Sequence, residues 1–258
     1  MKEQLRRPVK EVIGEFPAVG TVLDEFDIGC FPCAVGTCLL GDVVSIHGLS
    51  PERGEELMRR LADVVADRAS SLAAPTRPRG ESQRTFTYSA PVQRLVDEHT
   101  LIKRLIALVP KLAERLDVES DAGRRLVVES IFFIRTYADA FHHAKEEDIL
   151  FGYTDSSQEV IQVMLEDHTQ ARIHVRALVA GLRERDAAAV REHLLAYAEL
   201  LTEHIKREDE ILYPWMDRAL APAQVEQLSQ RFDAADAKAD TAAIERCRRF
   251  VEELEATL

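Results

Sequence analysis

His142-His143-Ala144-Lys145-Glu146-Glu147-Asp148-Ile149-Leu150-Phe151 and His204-Ile205-Lys206-Arg207-Glu208-Asp209-Glu210-Ile211-Leu212-Tyr213 are one helical phrase written twice. Each copy has a His, a Glu four residues later, further acidic residues, Ile-Leu-aromatic, and then Gly152 or Pro214, a residue type that interrupts helices. On a helix, positions i and i+4 share a face. Each copy therefore points an imidazole and a carboxylate in one direction. Two such faces turned inward would frame a dinuclear metal site.

Working outward, the duplication reaches two further helices. Asp97-Glu98-His99-Thr100 matches Glu166-Asp167-His168-Thr169, and His99 precedes His142 by 43 residues as His168 precedes His204 by 36. Helical patterns are expected over about 91–116, 121–151 (capped by Ser120-Asp121), 156–185 and 187–213, the last with room to run past Pro214 to Leu220. Short links between long helices imply antiparallel neighbours, hence an all-α, up-down-up-down four-helix bundle. The expected domains are a small helical, cysteine-bearing unit over 1–70, a Pro-, Ser- and Arg-rich linker over 71–90, the bundle over 91–220, and a helical extension over 221–258. In the first unit, helices are expected at Pro17–Phe26, Leu39–His47 and from Pro51, behind an N-cap at Ser50, to about Asp67. The extension reads as helices from Gln224 to Asp236 and Thr241 to Leu258, with capping or dimerisation as its expected role.

The candidate ligands are His99, His142, Glu146, His168, His204 and Glu208. Any one of them alone reads as a core histidine or a solvated i,i+4 pair. Six in a repeated pattern on four helices are different, because two buried carboxylates without cations would each cost several kcal/mol. Four imidazoles and two bridging carboxylates fill roughly eight of the roughly ten to twelve positions that two ions need, leaving about two to four open. The mixed donor set suits iron, with zinc and manganese also compatible. The internal alignment selects His142 and Glu146 over His143 and Glu147, so His143 is expected exposed or behind the ligands. His174 is expected at the surface and His193 in a structural role; Tyr197 reads equally as a packed core residue or as a hydrogen-bond donor near an open position.

The chain has 258 residues, 46% of them hydrophobic, enough to bury a full core. Acidic residues outnumber basic ones 45 to 33 for a net charge of −12, which argues against nucleic acid and against an anionic membrane as partner. No apolar run approaches the ~18 residues of a membrane span, and no apolar signal segment follows the charged start. Cys30, Cys33 and Cys38 cluster while Cys247 stands apart, unlike a secreted disulfide framework, so a cytoplasmic protein is expected. Cys30-x-x-Cys33 with Cys38 and the downstream His47 suggests cofactor binding or dithiol chemistry, with plain thiols the alternative.

The paired His-x-x-x-Glu-x-x-Ile-Leu-aromatic segments, with Glu98-His99-Thr100 and Asp167-His168-Thr169 upstream, resemble the haemerythrin-like (HHE cation-binding) domain over about residues 91–220. The resemblance implies a non-haem di-iron centre, oxo- or hydroxo-bridged, that handles O2 or NO or stores iron. His99 and His142 would serve one iron and His168 and His204 the other, with Glu146 and Glu208 bridging. Oxygen-carrying members add a fifth His four residues before the third-helix ligand, where this chain has Met164; that favours the four-His, two-Glu set of the iron–sulfur cluster repair proteins. Those proteins also have an N-terminal cysteine domain, which Phe16-Pro17 and Phe26-Asp27-Ile28 resemble, although their adjacent Cys-Cys-Gly-Gly is replaced here by Cys30-x-x-Cys33. The implied function is NO or O2 handling in nitrosative or oxidative stress, extending to cluster repair. The cysteines would carry electrons, iron, a further metal or an iron–sulfur cluster, and the implied partners are an electron donor or an iron–sulfur client protein. The alternatives are a sensor without turnover and an NO or peroxide reductase. If the extension serves dimerisation rather than capping, the assembly is a homodimer.

Overall fold

In a computed structural model, residues 3–26, 28, 39–66 and 87–258 are described. They are helical throughout, with one isolated bridge, Pro8 to Leu39, as the extended pairing among them. No helix among them is long and apolar enough to cross a membrane. The chain divides into two compact units, Met1–Phe86 with Glu210–Arg218, and Thr87–Asp209 with Ala219–Leu258. Cys30, Cys33 and Cys38, and most of the expected linker, lie outside the described residues.

The first unit contains a short 3₁₀ turn, Gln4–Arg6, and then α1 (Val9–Glu15), α2 (Pro17–Glu25), α3 (Val43–Ile46) and α4 (Pro51–Ala66). Its core is Val9, Val12, Phe16, Val19, Leu23, Leu40, Leu57 and Leu61 with their neighbours. The helix expected over 39–47 contracts to α3 because the backbone before it is otherwise engaged. Leu40 N–H donates to Arg7 O at 3.0 Å and Gly41 N–H to Leu5 O at 2.9 Å, so those groups cannot enter a helical ladder. Helix α1 was not anticipated from the sequence.

The second unit is the four-helix bundle. Its members are α5 (Ala90–Glu114), α6 (Asp121–Phe133) with π-helical continuations Ile134–His143 and Glu146–Leu150, α7 (Glu159–Glu184), and α8 (Ala187–Arg207). A third π segment, Glu208–Leu212, follows α8 and leads into α9 (Tyr213–Ala219). Pro214 therefore does not stop the helix. The wider π turn ahead of it accommodates the missing N–H and the ring that an α-turn would reject. Ser120 caps α6 as expected, its Oγ accepting from Gly123 N–H at 3.0 Å.

Buried positions explain where the site lies. On α7 they fall at Ile161, Met164, His168, Ala171, Val175 and Leu178, and on α8 at Val190, Leu194, Tyr197, Leu201 and His204. This three-and-four spacing is the inward stripe of a bundle helix. The histidines occupy core positions. His99 and His168 stand near the starts of their helices, while His142 and His204 stand near the ends of theirs. Antiparallel packing gathers all four at one end of the bundle. The extension forms α10 (Pro222–Asp236) and α11 (Thr241–Thr257). Cys247, Phe250, Val251 and Leu254 of α11 join the bundle core, so the extension covers the bundle.

Candidate metal centre

The six sequence-predicted residues converge, each at most 1% exposed. Glu208 lies between one histidine of each pair, its oxygens 3.2 Å from His99 Nε2 and 3.2 Å from His204 Nε2. Glu146 mirrors it, 3.8 Å from His142 Nε2 and 3.5 Å from His168 Nε2. Each carboxylate is thus placed to span two positions.

The outer nitrogens are held with the same symmetry. His99 Nδ1 faces Asp209 at 2.7 Å and His168 Nδ1 faces Glu147 at 2.7 Å. His142 Nδ1 faces Glu98 at 2.9 Å and His204 Nδ1 faces Asp167 at 3.1 Å. An Nδ1–H donated to a carboxylate leaves the Nε2 lone pair pointing inward, the tautomer a metal ligand needs. Each carboxylate is paired in turn with a cation: Asp209 with Lys103, Glu147 with Arg172, Glu98 with Lys145 and Asp167 with Arg207. Lys103 and Arg172 stand four residues after their histidines, and Lys145 and Arg207 three after theirs. The repeat therefore encodes three layers. The two outer ones were not anticipated from the sequence, although every one of these carboxylates is the immediate neighbour of a named ligand.

Of the two places expected for His143, the structure excludes exposure. His143 is 2% exposed, its ring stacked on His168 at 4.0 Å between centroids and 14° between planes. The α-helical step of about 100° between neighbours placed it outside, but the chain here is π-helical through His143, and i→i+5 bonding turns less per residue. The aligned residue of the second copy is Ile205, also buried, a signal that this register faces inward. His174 keeps part of its expected surface exposure. It is half-buried, its Nδ1 3.1 Å from His193 Nδ1.

The donor set fits cations. His142 Nε2 and both Glu208 oxygens are buried without a hydrogen-bond partner among the described residues. His168 Nε2 and His204 Nε2 face each other at 3.0 Å while both Nδ1 atoms are engaged by carboxylates. Two metal–nitrogen bonds of about 2.1 Å at a right angle give about that spacing. Ligand atoms of His143, Glu146, His168 and His204 lie within 4.8 Å of one another, and so do those of His99, His142 and Glu208. Burial, then the His99 and His168 charges respectively, holds His142 and His143 neutral, their pKa values well below the usual imidazole range. Burial works to lower His204, yet Glu208 and Asp167 carry it to about 9. Glu208 is held well below the usual carboxylate range by His204 and His99 against the opposing effect of burial.

A cavity of about 310 Å³ abuts this cluster, lined by Ile134, Asp139, His143, Arg172, Val175 and Tyr197 among others. The Tyr197 hydroxyl is buried and has no hydrogen-bond partner among the described residues. Burial, reinforced by the Asp139 charge, keeps it protonated.

A helical bundle with such a buried cluster of imidazoles and carboxylates could hold metal ions. Residues 90–216 match the Hemerythrin HHE cation binding domain, and the chain carries that domain. It is similar to uncharacterised proteins of Mycobacterium bovis and of two strains of Mycobacterium tuberculosis. Each is 21% identical over 192 residues, covering 69% of this chain and 74% of the relative. No solved structure gives a significant match.

Proposed function

We propose that this protein holds two non-haem iron ions and binds O2 or NO at them in response to oxidative or nitrosative stress. The observation that supports this most is the Glu208 carboxylate, both oxygens buried without a hydrogen-bond partner among the described residues and facing histidines of opposite helix pairs at 3.2 Å. Burying such a group costs several kcal/mol unless cations neutralise it. His99 and His142 would hold one ion and His168 and His204 the other, with Glu146 and Glu208 shared. Iron bound there supplies Lewis acidity and redox chemistry toward small oxidants.

The chain's own contribution is positioning and exclusion of water. The carboxylate–cation pairs lock each imidazole in one tautomer and orientation. The cavity beside His143 and Tyr197 is of a size for small ligands, and the protonated Tyr197 hydroxyl can donate a hydrogen bond to one arriving there. That donor favours a site that stabilises a bound, partly negative ligand, in an O2/NO sensor without turnover or in an NO or peroxide reductase alike.

The test is metal analysis of the purified full-length chain, with optical spectra before and after anaerobic NO and after O2. The expected result is two irons per chain and a spectral change with either gas. A chain that loads fewer than two irons, or spectra indifferent to both gases, removes the reading. Steady-state gas consumption with an electron donor separates reductase from sensor.

A further inference from the structure

We propose that the cavity beside the centre is a binding site for a small organic acid, a molecule with one carboxylate and an apolar body. This goes beyond the di-iron reading and does not depend on it, because it uses the walls of the cavity and not the ions.

Three observations converge on it. The first is size. The cavity measures about 310 Å³, at the lower end of the volumes that enclose organic ligands. A diatomic gas needs about the room of one water, roughly 30 Å³, so O2 or NO would leave most of this space unused.

The second is charge. Arg135, Arg172 and Arg176 line the cavity, and Asp139 is the acidic residue among them. Arg172 is engaged by Asp139 and by Glu147, each at 2.7 Å. Arg135 and Arg176 are exposed, and neither makes a hydrogen bond or an ion pair among the described residues. Arg135 stands on the π segment that continues α6 and Arg176 on α7, so two unpaired guanidinium groups meet at the opening from different walls. A basic opening runs against the net charge of −12. Arg172 and Arg176 also stand four residues apart on α7, a like-charge spacing that weakens a helix. Guanidinium groups are the donors that match a carboxylate, through paired N–H bonds.

The third is the lining beneath the arginines. Ile134, Ala171 and Val175 are apolar and buried, a seat for the body of the acid. Tyr197 lines the cavity too, and its unpartnered hydroxyl offers a donor to a polar substituent on that body. An inorganic oxyanion would pair with the arginines and leave the apolar walls uncovered. A neutral molecule would cover the walls and leave the arginines unpaired. An organic acid meets both, and it is then held against His143 at the edge of the centre.

The experiment is titration calorimetry of the iron-loaded full-length chain at low salt with benzoate, hexanoate, benzamide and nitrate. Benzamide has the shape of benzoate without its charge, and nitrate has the charge without the body. At least one of the two acids is expected to bind once per chain, roughly ten-fold or more tighter than benzamide and nitrate. The double variant Arg135→Gln, Arg176→Gln should lose a similar factor. Both side chains are exposed, so its circular dichroism and iron content should match the wild type. Failure of both acids to bind at millimolar concentration overturns the proposal, as does full affinity in the double variant. Benzamide binding as tightly as benzoate overturns the acid as the ligand class, and nitrate binding as tightly reduces the site to a surface anion patch. A chain that binds the acid but loads no iron overturns the di-iron reading and leaves this one standing.

Discussion

At the scale of single residues, the centre is a set of chains running from an inward imidazole nitrogen through a carboxylate to a cation. His204→Ala removes a nitrogen that faces both Glu208 and His168. Most bound metal should be lost while the far-UV circular dichroism of the bundle persists; a variant still holding two irons per chain contradicts the ligand assignment. Lys145 tests the outermost layer. It is 2% exposed, paired with Glu98 and with Asp236 at 3.0 Å, and it lies over the Phe141 ring at 3.7 Å. Lys145→Met leaves Glu98 buried without its cation, a loss of about 3–5 kcal/mol. Urea denaturation should show a midpoint well below wild type. A change under about 1 kcal/mol would mean that His142 alone satisfies Glu98.

At the scale of elements, the two π segments Glu146–Leu150 and Glu208–Leu212 coincide with the repeated Glu-acidic-acidic-Ile-Leu run, so the duplication extends to backbone winding. The link between α7 and α8 is the tightest in the bundle. Arg185 adopts φ 56°, Asp186 N–H donates to Gly181 O at 2.8 Å, and Asp186 Oδ1 then accepts from Ala189 N–H to cap α8. A left-handed conformation costs a non-glycine residue about 1–2 kcal/mol. The exposed pairing of Arg185 with Glu119 at 2.9 Å offsets little of that. Arg185→Gly should therefore raise the thermal midpoint by a few degrees in calorimetry. A fall would show that Arg185 contributes more through its ion pair than its backbone costs.

At the scale of the molecule, metal affinity and folding are linked, because the unfolded chain cannot assemble the site. Removing metal with a chelator should lower the midpoint of the metal-loaded chain, and adding iron back should restore it. Insensitivity to both would place the stability of the bundle in its apolar core alone. The extension offers a second test. Burial raises the Cys247 thiol to about 11, so in the folded chain it stays protonated where an unfolded thiol has ionised. Between about pH 9 and about pH 11 the native state holds the extra proton, and stability falls as pH rises through that window. Peptide mapping after iodoacetamide at pH 8 should find Cys247 unmodified in the native chain and modified in urea. Ready native labelling would mean that α11 detaches from the core.

The inward convergence of His99, His142, Glu146, His168, His204 and Glu208 was legible because the chain states the pattern twice, and a helix converts a spacing of four into a shared face. The four-helix arrangement followed from long apolar periodicity joined by short links. His143 was not legible in that way, since its side depends on a π winding that no local spacing announces. The outer carboxylates and their cations were printed beside the ligands, but adjacency on one helix conceals that each serves a histidine on another. Sequence by itself determined which residues face the bundle axis, through periodicity and repetition. Only the tertiary structure decided which histidine meets which carboxylate, because those pairings cross between helices and depend on the packing that sets the helices side by side.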